Sequence, residues 1–297
     1  MGVRIGVPAY RKRLAIQEIE SAGGMLFPFK LPGPAWLRSW VGDEPLQPFA
    51  EITDVNLGGH PFTDAGMARL EALPDLRTLD LSGTHISDDG LAHLAGFTQL
   101  HMLTLTDTQV TDAGLAHLIA LAGMNSLNLS GTRITDAGLR HLQRMTRLRH
   151  LNLDRTRVTG SGFAHLKDLR NVEMLGLSQS GVTDEGLDEI AEMPGLVHLN
   201  LKATRVTAAG FRGSTGFTKL ESLELSQTDV TDAGLAEIGR LTALKELHLA
   251  DTRVTGSGLG QLRGLVALKY LDLTRTNVTD ARLAELHQAL PDLRFAK

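Results

Sequence analysis

The most regular feature of the chain is a pair of apolar residues, separated by one position, that recurs every 24 residues. Leu79 and Leu81 alternate with polar neighbours at a period of two, which predicts a half-buried β-strand. Leu91, Leu94 and Phe97 follow at roughly helical spacing and predict a short helix. The ten pairs are Val55/Leu57, Leu79/Leu81, Leu103/Leu105, Leu127/Leu129, Leu151/Leu153, Leu175/Leu177, Leu199/Leu201, Leu223/Leu225, Leu247/Leu249 and Leu271/Leu273. Each unit is therefore predicted to be one strand followed by one helix.

A unit of this size cannot bury its apolar edge alone, so consecutive units are expected to stack. Parallel strands lie about 4.8 Å apart whereas helices need roughly 8 to 10 Å, which predicts a horseshoe with strands on the concave face and short helices on the convex face. The surrounding pattern is L-x-x-L-x-L-x-x-T-x-[IV]-[TS]-D-x-G-L-x-x-L, which resembles the leucine-rich-repeat family from about residue 52 onward. The resemblance implies an α/β leucine-rich-repeat solenoid, with ten repeats over residues 51–297.

Three further columns recur in register. The first is Thr, with Ser180 in one copy, whose hydroxyls we expect to satisfy backbone groups where the chain leaves the sheet. The second is Ser or Thr, interpreted as a helix N-cap, and the Asp that follows it, interpreted as a partner of the helix dipole, is replaced by Gly160, Ala208 and Gly256. The third is Gly, interpreted as a close approach of the next repeat, and it becomes Arg282 in the last copy. The columns comprise Thr84, Thr108, Thr132, Thr156, Thr204, Thr228, Thr252 and Thr276; Thr63, Ser87, Thr111, Thr135, Thr159, Thr183, Thr207, Thr231, Thr255 and Thr279; and Gly66, Gly90, Gly114, Gly138, Gly162, Gly186, Gly210, Gly234 and Gly258.

A second period of 48 residues overlies the first. Arg157, Arg205 and Arg253 occur in the same copies that have lost the Asp, which suggests duplication of a two-repeat unit. One copy departs from the pattern, because Ser214 stands where the neighbouring copies have Leu or Ile. An irregular outer segment is predicted over residues 211–216.

Residues 1–50 lie outside the repeat and are predicted to form an N-terminal cap. Helices are expected over residues 11–22 and 35–41, with an extended segment over residues 25–30. Residues 15–24 and 34–38 look like a region found before the repeats in many bacterial leucine-rich-repeat proteins, particularly from planctomycetes. In such proteins the region often follows a membrane anchor.

Membrane attachment is expected only through an upstream anchor, since no run of 18 or more apolar residues occurs. The chain as given is therefore expected to be soluble, either as a cytoplasmic protein or as a tethered domain. The basic run of residues 11–13 would suit a position beside a membrane, but it is interpreted first as a solvated helix face. We expect a monomer.

Composition excludes several classes of function. The formal net charge of -4 and the pI near 6.3 provide no global basic field, so nucleic acid is not an expected partner. The absence of cysteine excludes disulfides, thiolate nucleophiles and Cys-type zinc sites. It fits both reducing and oxidising compartments.

The strand face is the predicted binding surface, because side chains on a rigid sheet need little ordering when a partner associates. A protein or peptide ligand is the expected partner. The alternative is that these side chains only keep the sheet soluble. The candidate partner-binding residues are His150, Met174, His198, Lys202, Glu224, His248 and Tyr270.

Sites for catalysis, cofactors and metals are not predicted. His93, His117, His141 and His165 would stand on successive helices, too far apart to converge on one zinc ion. The segment 256–260 resembles a phosphate loop but lacks G-x-x-x-x-G-K-[ST], and neither H-E-x-x-H nor G-x-S-x-G occurs.

Three hypotheses for function follow. The favoured one is a binding scaffold that uses the concave face. The second is a substrate-recognition adaptor of a larger enzyme complex, because the repeats are similar to those of F-box ubiquitin-ligase receptors, although no F-box is evident in residues 1–50. The third is an enzyme with an unrecognised site, which a convergent buried Asp/His pair would favour.

Overall fold

A computed structural model of the chain describes residues 3–30, 51–212 and 216–297. The chain divides into two compact units, residues 1–133 and residues 134–297. Both units are built from the same 24-residue coil, in which a short strand is followed by a tight turn and a short outer segment.

The first unit begins with the helix α1 (Val3–Ser21), which leads into a strand outside the repeats. That strand, β1, pairs antiparallel with β2, whereas β2, β3, β4 and β5 pair parallel in sequence order. The strands are β1 (Met25–Lys30), β2 (Glu51–Asn56), β3 (Thr78–Asp80), β4 (Met102–Thr104) and β5 (Ser126–Asn128). The outer segments are the α-helices Asp64–Leu70, Asp88–Leu91 and Asp112–Leu115, of which the last two continue as the 3₁₀ turns Ala92–Gly96 and Ala116–Leu118.

The second unit repeats the parallel arrangement from β6 to β12. Its strands are β6 (His150–Asn152), β7 (Met174–Gly176), β8 (His198–Asn200), β9 (Ser222–Glu224), β10 (Glu246–His248), β11 (Tyr270–Asp272) and β12 (Arg294–Ala296). Its outer segments are the α-helices Asp136–Leu139, Asp184–Ala191, Asp232–Ile238 and Asp280–Ala289 and the 3₁₀ helices Arg140–Leu142, Ser161–His165, Ala208–Phe211 and Leu259–Gly264. The predicted succession of strand and outer segment is confirmed, although several predicted helices are 3₁₀ turns.

The core of each unit consists of the apolar columns that define the repeat. In β7, Leu175 is buried between exposed Met174 and half-buried Gly176, and Leu177 is buried just beyond the strand. The same alternation occurs in the other repeat strands. Burying a leucine side chain contributes about 1.5 to 3 kcal/mol, so the columns of leucine are the main source of stability.

The Thr column closes the turn after each strand, as predicted. The hydroxyl of Thr84 donates to the carbonyl oxygen of Leu81, three residues earlier, over 2.6 Å. All nine members of the column, Ser180 included, make the equivalent bond at 2.5 to 2.7 Å. A buried carbonyl without a partner costs about 1 to 3 kcal/mol, which explains why a hydroxyl is kept at this position.

The Asp column links consecutive repeats, a role that the sequence analysis did not assign to it. The carboxylate of Asp64 accepts hydrogen bonds from the hydroxyl and the backbone N–H of Ser87, which lies 23 residues later. The same pair of bonds joins Asp88 to Thr111, Asp136 to Thr159, Asp184 to Thr207 and Asp232 to Thr255. We call this arrangement the aspartate clamp.

The interpretation of the Ser/Thr column as side-chain N-caps is therefore mostly wrong. Thr111, Thr135 and Thr207 do accept a hydrogen bond from the backbone N–H two residues later. Thr63, Ser87, Thr183, Thr231 and Thr279 occupy the N-cap position without such a bond. In the clamped repeats the hydroxyl donates its proton to the preceding Asp, and this bond is shorter than the capping contact.

In the second unit the clamp is present in alternate repeats, in step with the 48-residue period. Gly160, Ala208 and Gly256 carry no carboxylate, so they cannot clamp the repeats that follow. Their outer segments are 3₁₀ helices, whereas the copies that begin with Asp form α-helices. The loss of the Asp is therefore accompanied by a change in the outer segment.

The Gly column touches the preceding repeat and not the next one, which corrects the prediction. A Cβ on Gly90 would lie 2.3 Å from the carboxylate of Asp64, and one on Gly258 would lie 2.6 Å from that of Asp232. Arg282 fits in the last copy because the preceding repeat has Gly256 in place of Asp. The Arg282 side chain lies against that glycine, where an added Cβ would meet it at 2.5 Å.

The N-terminal segment agrees with prediction in part. The strand β1 covers the predicted extended residues, but α1 begins at Val3, eight residues before the predicted start, and continues through Pro8. Ala15, Ile16 and Ile19 are buried. The predicted helix over residues 35–41 lies outside the described residues, and the assignment of residues 1–50 as a cap stays a prediction.

The predicted irregular outer segment falls partly outside the described residues, which omit 213–215. On either side of that gap, the rings of Phe211 and Phe217 pack with centroids 5.7 Å apart. A Cβ on Gly216 would overlap the carbonyl oxygen of Ala191 at 1.7 Å. Only glycine therefore fits where this repeat passes its predecessor.

Replacement of a clamping aspartate should destabilise the protein. The carboxylate of Asp136 accepts from the Thr159 hydroxyl at 2.6 Å and from the backbone N–H groups of Thr159, Gly160 and Gly162 at 2.9 to 3.0 Å. Asp136→Ala should lower the free energy of unfolding by about 2 to 3 kcal/mol, because it leaves these donors without an acceptor. Urea unfolding measures the change. The control is Asp188→Ala on an exposed face of a neighbouring helix, which should change stability by less than about 0.5 kcal/mol, and equal effects of the two variants would contradict the clamp.

The clamps should also make stability depend on acid. Burial opposes ionisation of Asp136 and Asp232, but their hydrogen bonds outweigh it and lower the pKa of each carboxyl. A carboxyl whose pKa is lower in the folded state stabilises the fold above its unfolded pKa, about 4, and loses that contribution as the pH falls through the folded value. The stability difference between wild type and Asp136→Ala should therefore be full at pH 6 and shrink steadily below about pH 4. A difference that is constant from pH 6 to pH 3 would show that the charge is not involved.

Candidate functional site

The strand face of the second unit presents its side chains in two rows fixed by the parallel register. The first row places His150, Met174 and His198 side by side on β6, β7 and β8. All three side chains are exposed, Met174 to 45%. Ser222, Glu246 and Tyr270 continue the row on β9, β10 and β11.

The second row brings three of the other predicted residues into contact. Glu224 on β9 lies beside His248 on β10, with 3.9 Å between the carboxylate and the imidazole Nδ1. The rings of His248 and Tyr270 pack with centroids 5.3 Å apart and a tilt of 51°. Glu224, His248 and Tyr270 thus form one half-buried polar and aromatic cluster.

The seven predicted residues therefore form two groups and not a single centre. The group of His150, Met174 and His198 is separated from the cluster of Glu224, His248 and Tyr270 by the small side chain of Ser222. Lys202 lies just beyond β8. Its backbone N–H donates to Asn200, and its half-buried side chain makes no hydrogen bond or ion pair within the described parts of the chain.

Some polar residues of the second row also have a structural role that the sequence analysis missed. The side-chain oxygens of Asn152, Asn200 and Asp272 accept a hydrogen bond from the backbone N–H two residues later, at 2.8 to 3.0 Å. Glu224 does the same for Ser226 at 2.7 Å. These side chains close the turn at the end of each strand, so their replacement would disturb the fold as well as the surface. The repeated Asn or Asp at this position was a signal for this turn.

Gly176 leaves a gap in the second row, which neighbouring oxygens fill. A Cβ at this position would lie 3.0 Å from the side-chain oxygens of both Asn152 and Asp154. The carboxylate of Asp154 also accepts the N–H of Ser178 at 2.6 Å. Burial raises the pKa of Asp154 and outweighs its hydrogen bonds and the nearby charge of Arg155.

The turns at the ends of the strands form a second surface, which we call the edge loops: residues 155–157, 179–181, 203–205, 227–229, 251–253 and 275–277. The first residue of each loop has a left-handed backbone, with φ between 54° and 61° although none of the six is glycine. The cost of this conformation is of order 1 to 3 kcal/mol per residue. A backbone hydrogen bond from each of the first five of these residues to the following repeat holds the conformation in place. The edge loops are thus rigid supports for their side chains.

Charged side chains pair along the edge loops near the C-terminal end of the second unit. Arg253 lies 2.9 Å from the carboxylate of Asp229, and Arg275 pairs with Asp251. These residues line an open groove of about 660 Å³ together with Gln227. The sequence analysis noted the arginine period but did not predict this surface as a site.

Metal-type and membrane-type features were searched over the described residues. Within those ranges no three or more His, Cys, Asp or Glu side chains are placed to hold a metal ion. His93 of the outer histidine column instead contacts the carboxylate of Glu71 through its Nδ1 at 2.7 Å. None of the described helices is both long enough and apolar enough to cross a bilayer.

Comparisons with known proteins agree with the repeat architecture. A family model of the leucine-rich repeat matches residues 72–95, 124–142 and 218–239. A search of curated proteins found no match. Among solved structures, the chain is similar to an internalin, InlF, from Listeria monocytogenes str. 4b F2365, with 19% identity, a TM-score of 0.54, and coverage of 82% of this chain and 86% of the internalin.

Two receptor structures are similar to the same extent. One is the plant peptide hormone receptor RGFR1 in complex with RGF2, at 17% identity and a TM-score of 0.56 over 84% of this chain. The other is a TDR receptor, at 15% identity and a TM-score of 0.54 over 82% of this chain. The chain spans 39% and 46% of the lengths of those two proteins. At these identities the similarity concerns the fold: the chain contains leucine-rich repeats and folds as a leucine-rich-repeat solenoid.

Proposed function

We propose that this protein binds another protein or a peptide through the strand face of its second unit. The observation that carries the proposal is the pair of neighbouring groups on that face, His150, Met174 and His198 in one, and Glu224, His248 and Tyr270 in the other. Together they offer an exposed thioether, an aromatic ring and several hydrogen-bonding groups on a rigid sheet.

The physical argument concerns entropy and residue type. Side chains on hydrogen-bonded strands are already ordered, so a partner loses less free energy to ordering than it would on a mobile loop. Tyrosine is among the residues that carry most interface energy, and methionine adapts to irregular apolar surfaces. The leucine-rich-repeat fold commonly serves protein binding, which supports the same role here, in preference to catalysis.

Selection from a peptide-display library tests the proposal without knowledge of the natural partner. Peptides selected on the wild-type protein should lose at least about tenfold in affinity for His198→Ala/Tyr270→Ala, which corresponds to about 1.4 kcal/mol. The matched control is His165→Ala/Lys167→Ala on an exposed outer segment, which should leave affinity unchanged. Urea unfolding of both variants shows that the fold is retained.

Crosslinking locates the bound peptide independently. A photoreactive amino acid at position 174 should capture the selected peptide, whereas the same amino acid at position 167 should not. Capture at position 167 alone, or full affinity in the strand-face variant, would overturn the proposal.

A further inference from the structure

Arginine occupies the last position of the edge loops in three alternate repeats, but the three side chains are not equivalent. Arg253 is neutralised by Asp229, the residue 24 positions earlier. Arg205 has Gly181 at the corresponding earlier position and therefore lacks that acid. Within the described ranges, neither Arg157 nor Arg205 makes a side-chain hydrogen bond or an ion pair, and both are exposed.

Lys202 extends the unpaired positive charge from the edge onto the strand face. It lies three residues before Arg205 in the same turn, and its backbone carbonyl accepts the N–H of Gln179 at 2.8 Å. Arg157 and Arg205 are two repeats apart, which places their backbones roughly 10 Å from each other at the strand spacing of a parallel sheet. Gly181 lies between them and adds no side chain to the gap.

This local charge stands out because the chain as a whole is acidic, with a formal net charge of -4. An arginine kept without a partner gains little from solvent, whereas a carboxylate on another molecule can bind the guanidinium group through two parallel hydrogen bonds. The left-handed residues Gln179 and Ala203 hold the loops in fixed positions, so the two arginines need little ordering when an acidic group arrives.

We propose that Arg157, Arg205 and Lys202 bind acidic side chains of a peptide segment that also contacts the strand face. The inference rests on the proposed function, since it assigns the chemistry of one part of the same partner. A peptide fits better than a nucleic acid because three cations on an acidic protein provide too few phosphate contacts for appreciable nucleic-acid affinity at physiological salt. The adjoining groove at Arg253 and Arg275 is excluded from this role, because Asp229 and Asp251 already neutralise those arginines.

The test measures binding of a fluorescein-labelled decapeptide of alternating Glu and Ser by fluorescence anisotropy in about 20 mM salt. The peptide with Gln in place of every Glu is the uncharged control. The wild-type protein should bind the Glu peptide at least about tenfold more tightly than the Gln peptide, and raising the salt should remove the difference.

Four variants assign the binding to the unpaired arginines. Arg157→Gln/Arg205→Gln should lose about tenfold in affinity for the Glu peptide, whereas Arg253→Gln should change it less than twofold. Gly181→Asp should reproduce the loss by giving Arg205 the acidic neighbour that Arg253 has. Gly181→Asn, which copies Asn277 of another repeat, should retain binding and controls for the added side chain.

Three results would overturn the inference: equal affinity for the Glu and Gln peptides, equal losses in the Arg157/Arg205 and Arg253 variants, or tighter binding of a labelled single-stranded oligonucleotide that the same arginine substitutions abolish. The strand-face variant His198→Ala/Tyr270→Ala separates this inference from the proposed function. If it loses the library-selected peptides and the arginine variants keep the Glu peptide, the proposed function stands and this inference fails. If both sets of peptides are unaffected by their variants, both fail.

Discussion

Every coil of this protein must obtain hydrogen-bond partners from its neighbour, because its own strand is only three residues long in most repeats. Such a strand forms few ladder bonds, and most of the remaining 24 residues pass through turns whose backbone groups need other partners. The Thr hydroxyls satisfy carbonyls within a coil, and the aspartate clamps satisfy N–H groups across two coils. The leucine columns supply the apolar burial, but these polar bonds fix how each coil follows the previous one.

Much of this arrangement was accessible from the sequence, because it depends on local periodicity. The alternation of Leu175 with polar neighbours was enough to place it inside the core, and the Thr column was correctly assigned to backbone groups at the strand end. The aspartate clamp was missed because the Asp and its partner are 23 residues apart, and helix-dipole reasoning considers only the residues next to it. The signal was nevertheless present: Gly256 replaces Asp in the one place where Arg282 replaces Gly.

The candidate site shows the same division. Strand alternation predicted which residues face outward, and the parallel register then places His150, Met174 and His198 in a row. The contact of His248 with Tyr270 depends on side-chain rotamers of adjacent strands, which the pattern does not specify. The difference between Arg205 and Arg253 could have been read from Gly181 and Asp229, but only with knowledge that residues 24 apart are neighbours on the edge loops.

The alternation of clamped α-helices with unclamped 3₁₀ segments has a consequence for how such a chain grows. Excision of residues 184–231 would join Thr183 to Asp232, and the clamps between Asp136 and Thr159 and between Asp232 and Thr255 would both survive. Excision of a single coil would instead bring two copies of the same kind together. The heritable module is thus the two-coil pair, and recombination in steps of 48 residues alters the length of the molecule without opening a bonded seam.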